Sequence, residues 1–342
     1  MIYRLIIRKV LFALKPEHSH DFVFNFLKIL FYIPGVYSLI SLIYRVENKN
    51  LNTNVFGLSF KNPVGLAAGF DKNAKVFNEF SAFGFGFIEI GTITPIPQSG
   101  NEKPRVFRLK EDNALVNRMG FNNDGVECVV ERLKKKYTDI IIGGNIGKNK
   151  ITPNELANSD YISCLKKISP YVDYLVLNIS SPNTPGLTEL QNKKYLSKLL
   201  SDVQSSNKKN HDKPILIKIS CDLNNQQIDD IINLVEKYKI SGIIATNTSS
   251  KRENLKSDSE IVGNLGIGGL SGQPIKQKSM RIISYIKSKK KDLPIIAVGG
   301  IMDSNDAIDF LRAGASLVQI YTGFIYTGPS LVKSINKKIL SS

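Results

Sequence analysis

A chain of 342 residues, 42% apolar and 22% charged, is long enough for one large core or two smaller ones, and its composition excludes a disordered or low-complexity protein. Lys and Arg (46) outnumber Asp and Glu (30), and the net charge of +16 points to anionic partners, although many lysines sit on helix-like, solvated stretches such as 287–291. Three cysteines (Cys128, Cys164, Cys221) and three histidines (His18, His20, His211) share no ligand spacing, which reads as a reduced compartment with no metal site.

Residues 1–50 form a first unit and 51–342 a second. In the first, 2–14 and 19–33 both read as amphipathic helices. Across 19–33, Asp21, Asn25 and Lys28 share one face by i, i+4, i+7 spacing, and Phe22, Val23, Phe26, Leu27, Leu30 and Phe31 cover the other. Pro34-Gly35 breaks the pattern before another apolar piece at 36–44. The longest uncharged run, 29–44, is 16 residues with that Pro-Gly inside it, too short and too broken to span a bilayer. Seven basic and three acidic residues give the unit a balance of +4. Apolar helices with a basic rim suit an anionic membrane surface. A helical cap packed on the second unit is the alternative, and the two agree if only one face docks on protein. Arg4, Arg8 and Lys9 interrupt the first apolar segment and no small-residue cleavage site follows, so no signal peptide is expected.

From Asn54 onward short apolar, β-branched or glycine-rich runs recur at 64–68, 87–90, 140–145, 174–178, 215–219, 242–246, 295–298 and 317–320. Helix-like segments fall between most of them, at 124–137, 226–238, 275–290 and 304–313. Eight such strands in about 260 residues predict an α/β fold, a (β/α)8 TIM barrel carrying an N-terminal amphipathic helical extension. Two long intervals, 91–138 and 247–293, read as extra loop structure over the active face. No GxGxxG follows a first strand, which counts against the alternative of an open Rossmann-like sheet.

The residues just after the strands carry the chemistry. They are Ala68 to Lys72, Gly91-Thr92, Asn145-Ile146-Gly147, Asn178 to Asn183, Lys218, Thr246-Asn247-Thr248, Gly299-Gly300 and Tyr321-Thr322-Gly323. In a barrel all eight ends face one cavity. Asparagine and threonine with two lysines suit a planar heterocycle bearing carbonyls and ring N–H groups. The stretch at 175–186, LVLNISSPNTPG, is the clearest example: a buried strand runs into a loop stiffened by Pro182 and Pro185. Gly268 to Gly272, Gly299-Gly300 and Gly323 repeat the glycine-rich phosphate site of this fold and imply a phosphorylated cofactor such as FMN.

These motifs coincide with a known family. NPVGLAAGFDK (62–72), IEIGTITP (88–95), KPRVFR (103–108), NRMGFNN (117–123), NIGKN (145–149), NISSPNTPGL (178–187), ATNT (245–248), GGLSG (268–272) and VGGI (298–301) resemble dihydroorotate dehydrogenase, from about Arg4 to about Pro329. Within it the chain resembles the membrane-associated, quinone-reducing class 2. Ser181 stands where class 1 enzymes carry a cysteine, and residues 1–50 are similar to the class 2 extension.

The resemblance implies oxidation of dihydroorotate to orotate, a step of pyrimidine biosynthesis, on one non-covalent FMN per chain with a membrane quinone as acceptor. It implies a monomer held peripherally on the cytoplasmic side of the inner membrane by its N-terminal helices, with no nucleic acid partner. By matched position, FMN would contact Ala68, Gly69, Phe70, Asp71, Lys72, Thr92, Asn145, Asn178, Lys218 and Thr246, with its phosphate on Gly272, Gly300, Tyr321 and Thr322. Substrate would lie against Lys72, Asn117, Arg118, Met119, Gly120, Phe121, Asn178, Asn183, Asn247 and Thr248. Ser181 would be the base, Thr184 and Phe121 would shape its proton exit, and Lys218 would stabilise charge at the flavin. His20, Arg108 and Tyr321 would line the quinone tunnel. Two other readings stay open. One is an FMN barrel reducing RNA uridine, similar to tRNA dihydrouridine synthase, but that family carries a catalytic cysteine and a further helical domain, and only 19 residues follow Gly323 here. The other is a non-catalytic membrane flavoprotein.

Overall fold

All eight predicted apolar runs pair with a neighbour on each side, so that the sheet closes on itself. The computed structural model describes residues 3–184 and 186–342. The barrel strands are β1 (Val64–Leu66), β2 (Phe87–Ile93), β3 (Ile141–Ile146), β4 (Tyr174–Asn178), β5 (Ile215–Ile219), β6 (Gly242–Ala245), β7 (Ile295–Val298) and β8 (Leu317–Ile320). They are parallel and follow chain order around the barrel, with β8 returning to β1 through Val318 beside Val64. Helices fill the intervals, among them Gly125–Leu133, Asn225–Lys237, Lys276–Lys289 and Ser304–Arg312, close to their predicted spans.

Side chains alternate along each strand. Ile88 and Ile90 of β2 face the helix ring, whereas Phe87 packs inside with Tyr174, Val176, Leu216, Ile244, Ile296 and Leu317. Gly65 and Gly143 are glycines because the rings of Phe87 and Tyr174 occupy the space a Cβ would need.

The two long intervals are more ordered than the loops expected of them. Val106–Leu109, Ala114–Asn117 and Gly269–Gly272 form a three-stranded antiparallel sheet, with Asn117 beside Gly269. Local sequence explains the hairpin: residues 106–109 and 114–117 are mostly apolar, and Asn113 takes φ 49°, a turn conformation asparagine tolerates.

At the N-terminus a π-helical turn (Tyr3–Ile7) leads into α1 (Arg8–Ala13), followed by α2 (Pro16–Phe31) and α3 (Val36–Tyr44). Ile2, where the first predicted helix begins, lies outside the described residues. α2 starts three residues before its predicted beginning because Pro16 opens it, at a position where a missing N–H costs nothing. Its apolar surface is two stripes rather than one face. Phe24 and Leu27 are buried against the barrel, while Phe22, Phe26 and Ile29 are 56%, 51% and 69% exposed. Among the described residues no single helix is long and apolar enough to cross a membrane; α2 and α3 together would be, but they meet at 116°.

Candidate active site

The barrel interior changes character over one side-chain repeat. Moving two residues toward the C-terminal ends, Phe87 gives way to Glu89, Gly143 to Asn145, Leu216 to Lys218 and Leu317 to Gln319. These four polar side chains form one hydrogen-bonded layer. Asn145 Nδ2 donates to Glu89 Oε1 at 2.7 Å, Gln319 Nε2 donates to Glu89 Oε2 at 2.6 Å, and Lys218 Nζ stands 3.8 Å from Glu89 Oε1. Burial pushes the Lys218 ammonium below the usual lysine range, and the Glu89 carboxylate opposes that push. Lys218 and Gln319 of this layer line the floor of an open cavity at the barrel mouth, about 1100 Å³ including the part open to solvent.

A relay of side chains climbs one wall. Thr92 Oγ1 donates to Asn145 Oδ1 at 2.6 Å, Asn178 Nδ2 donates to Thr92 Oγ1 at 2.7 Å, and Asn247 Nδ2 donates to Asn178 Oδ1 at 3.2 Å. Facing it, Asn183 Nδ2 donates to Asn117 Oδ1 at 2.8 Å. The four asparagines expected to hold one ring thus stand as two mutual pairs lining one cavity. Ser181 lines it too, and its Oγ accepts from the Asn183 N–H at 3.3 Å. Lys72 donates to Asn122 Oδ1 at 2.5 Å; burial, with the Arg105 cation adding, lowers its pKa to about 7. The turn at Gly120-Phe121 has φ of 68° and 53°, and Gln98 Nε2 holds it by donating to both carbonyls at 3.1 Å.

At the opposite end the wall is mostly backbone. Gly272, Gly299 and Gly300 line it with φ of 100°, 118° and 91°. A Cβ on Gly300 would stand 2.5 Å from Lys276 Cα, so only glycine fits the turn. Ser271 and Thr322 share a hydroxyl hydrogen bond of 2.9 Å beside them. Burial pushes the Tyr321 phenol up to about 12, which keeps it neutral.

The cavity lining therefore includes Ala68, Gly69, Lys72, Thr92, Asn117, Met119, Gly120, Phe121, Asn178, Ser181, Asn183, Lys218, Thr246, Asn247, Thr248, Gly272, Gly300, Tyr321 and Thr322 of the predicted site. Other predicted residues stand outside it. Asp71 accepts from the Lys75 and Val76 N–H groups at 2.7 and 2.8 Å, so its carboxylate caps a loop. The Phe70 ring packs among Phe24, Phe80, Tyr321 and Phe324. Arg118 donates to the Pro104 and Leu265 carbonyls, and Asn145 reaches the cavity only through Thr92 and Glu89. Thr184 Oγ1 is buried without a hydrogen-bond partner among the described residues, and Pro185, which follows it, lies outside them.

Of the quinone residues, His20 Nε2 donates to the Phe70 carbonyl at 2.8 Å. Arg108 donates to Leu14 O at 2.7 Å, Leu11 O at 3.2 Å and Ser19 Oγ at 3.0 Å, tying the α1–α2 turn to the barrel. Tyr321 is the cavity's border with α2, because its ring meets Phe70 at 5.3 Å and Phe70 meets His20 at 6.1 Å.

Glu89 and Gln319 were not among the predicted site residues, nor was Arg105. An acid at an inward position of an otherwise apolar strand was the available signal for Glu89. Arg105 pairs with Glu17 of α2 at 2.9 Å and donates to the Ser99 and Asn101 carbonyls; Asn101 Nδ2 in turn donates to Asn183 O at 3.1 Å. No spacing rule would have placed those five together.

The family model described as dihydroorotate dehydrogenase matches residues 50–342. A Christiangramia forsetii protein named dihydroorotate dehydrogenase (quinone) is 54% identical over 341 residues, 99% of this chain and 99% of its own. One from Idiomarina loihiensis with the same name is 45% identical over 336 residues, 96% of this chain and 98% of its own. The crystal structure of the Eimeria tenella DHODH in complex with ferulenol superposes with a TM-score of 0.85 at 37% identity, over 97% of this chain and 94% of that one. With the parallel barrel, the mouth cavity and relatives this similar along its whole length, the chain belongs to the dihydroorotate dehydrogenase family, in its class 2 branch.

Proposed function

We propose that the protein oxidises dihydroorotate to orotate on a bound FMN and passes the electrons to a membrane quinone. It acts as a monomer seated peripherally on the cytoplasmic face of the inner membrane. The observation that carries this reading is the convergence of a buried cation (Lys218), a hydroxyl (Ser181) and four asparagine amides on one cavity above the barrel core. The cysteine that an RNA-reducing flavin barrel would use is missing from the cavity: Cys164 and Cys221 are buried elsewhere and Cys128 is exposed on a helix.

FMN fits the residues present. Gln319 lines the floor with a buried Oε1 that has no partner among the described residues, an acceptor ready for a ring N–H. Lys218 is a buried ammonium whose nearest carboxylate is as far as 3.8 Å, which leaves it free to meet a carbonyl or an anionic ring edge. The turn at Gly299-Gly300 brings backbone close to the cavity where side chains would obstruct a phosphate. Ala68, Gly69, Thr92, Lys218 and Thr246 would hold the ring, and Gly272, Gly300, Tyr321 and Thr322 the phosphate.

Dihydroorotate loses a proton from C5 and a hydride from C6. The flavin, when bound, supplies the hydride acceptor. Ser181 takes the C5 proton at Oγ. The asparagine pairs fix the ring's orientation, so much of the rate comes from positioning. Lys218 stabilises the negative charge that develops beside it, in a site whose low dielectric strengthens the effect. Lys72 meets the substrate carboxylate. The deciding experiment is anaerobic addition of dihydroorotate to the purified yellow protein, which should bleach it; persistence of the colour would end this reading.

Two expected outcomes concern substrate recognition. Each of Asn117→Ala, Asn178→Ala, Asn183→Ala and Asn247→Ala should weaken orotate binding or slow flavin reduction, because leaving one buried partner unpaired costs roughly 1–3 kcal/mol. Four variants titrating orotate like wild type would place the ring elsewhere. The second outcome is a pH dependence. The charged form of Lys72 is lost as pH rises through about 7, and an anionic ligand restores it by raising the pKa again. Orotate binding should therefore take up a proton, and its Kd should rise by up to about tenfold per pH unit above 7. Lys72→Met should bind weakly with that slope abolished; an unchanged slope would assign the dependence to another group.

A further inference from the structure

A second cleft lies between α1 and the hairpin of the three-stranded sheet. It is an open cleft of about 780 Å³, counting the part open to solvent, lined by Arg8, Lys9, Phe12 and Ala13 of α1, Lys110 and Asn113 of the hairpin turn, and Tyr326. Three cations from two separate parts of the chain converge there and no carboxylate lines it. Arg8 is held in place: its Nη1 donates to the Tyr326 carbonyl at 3.0 Å, which leaves its other N–H groups for a ligand. Lys9 and Lys110 are exposed. Such a lining selects an anion with several acceptor oxygens.

The surroundings favour one source for that anion. Val10 follows Lys9 by about 100° around α1 and Leu14 lies one turn further on. Val10 and Leu14 are 60% and 41% exposed, and Ile6 just before them is 60% exposed. The cation-lined arc of α1 thus borders an apolar arc that is about half exposed. A lipid has the same two-part character, a phosphate at the interface and an acyl chain beside it. A free phosphate would use only half of this arrangement.

We propose that the cleft seats the phosphate of an anionic phospholipid, with Lys110 bringing the barrel itself to the bilayer surface. This rests on the membrane reading above and adds to it a stoichiometric headgroup site in place of diffuse attraction. It also sets an orientation, since contacts on both α1 and the hairpin hold the barrel at one angle to the membrane.

The test is co-sedimentation of the full-length protein with vesicles of phosphatidylcholine alone and of phosphatidylcholine mixed with phosphatidylglycerol. Lys9→Ala and Lys110→Ala should each weaken binding to the mixed vesicles about fivefold, the effect of one interfacial cation, and leave binding to phosphatidylcholine unchanged. Lys209→Ala, an exposed lysine at the end of the helix Lys193–Asn210, is the control and should change neither. A Lys110→Ala loss no larger than the Lys209→Ala loss overturns the headgroup site while leaving the membrane reading intact. Wild-type protein that sediments with neither vesicle overturns both.

Discussion

Replacing Ser181 with alanine is expected to slow anaerobic reduction of the bound flavin by dihydroorotate at least ~10²-fold, the low end of what a positioned base contributes, without releasing the cofactor. The hydroxyl lines the cavity, 6% exposed, and its only hydrogen bond among the described residues is one accepted from the Asn183 N–H. A serine hydroxyl is a weak base, so it must hand its own proton on as it accepts the one from C5. We propose that Thr184 relays it through a water: its buried Oγ1 has no hydrogen-bond partner among the described residues, as a group that holds such a water would have. Thr184→Val should then slow the same step while orotate binding stays unchanged. Stopped-flow mixing separates this from quinone reoxidation, and a near-normal rate for Ser181→Ala would remove Ser181 from the mechanism.

The site was legible in the sequence wherever a strand ended. Asn178, Lys218, Thr246 and Gly300 each follow an apolar run, and a barrel brings such positions together whatever its loops do. Inside the strands the same alternation was present but masked. Glu89 reads as one acid in FIEIGTI, and only the closed barrel shows that its neighbours are Asn145, Gln319 and Lys218. Asp71 sits between cavity residues in sequence, and its carboxylate turns onto its own loop, where two backbone N–H groups need an acceptor. α2 was read with one apolar face, for a membrane surface or for the barrel. It has two, a buried stripe at Phe24 and Leu27 and an uncovered one at Phe22, Phe26 and Ile29. A helix between protein and lipid needs both.

The second large effect concerns residues 1–50. Removing them should sharply reduce reoxidation by a long-tailed quinone and binding to anionic vesicles, while a small water-soluble acceptor is spared. The uncovered stripe of α2, with Leu39 and Leu42 of α3 at 55% and 80% exposure, supplies the apolar surface that would enter the bilayer interface. His20 and Phe24 of α2 contact Phe70, which in turn contacts Tyr321 at the cavity. Sequence separation alone predicts that the dihydroorotate half-reaction is untouched, but the structure adds a connection. Glu17 pairs with Arg105, which holds the turn at Ser99 to Asn101, and Asn101 supports the Asn183 backbone. Deletion would leave Arg105 without its carboxylate and uncover the barrel surface under Phe24 and Leu27, about 1.5–3 kcal/mol of burial for each side chain. A modest loss in flavin reduction, about fivefold for a loosened hydrogen bond worth roughly 1 kcal/mol, should therefore accompany the large loss with quinone. Glu17→Gln in the intact chain separates the two effects, since it should reproduce the small loss and spare quinone reduction and vesicle binding. A truncated protein that still binds vesicles and reduces a long-tailed quinone at the full-length rate would make the segment a structural cap.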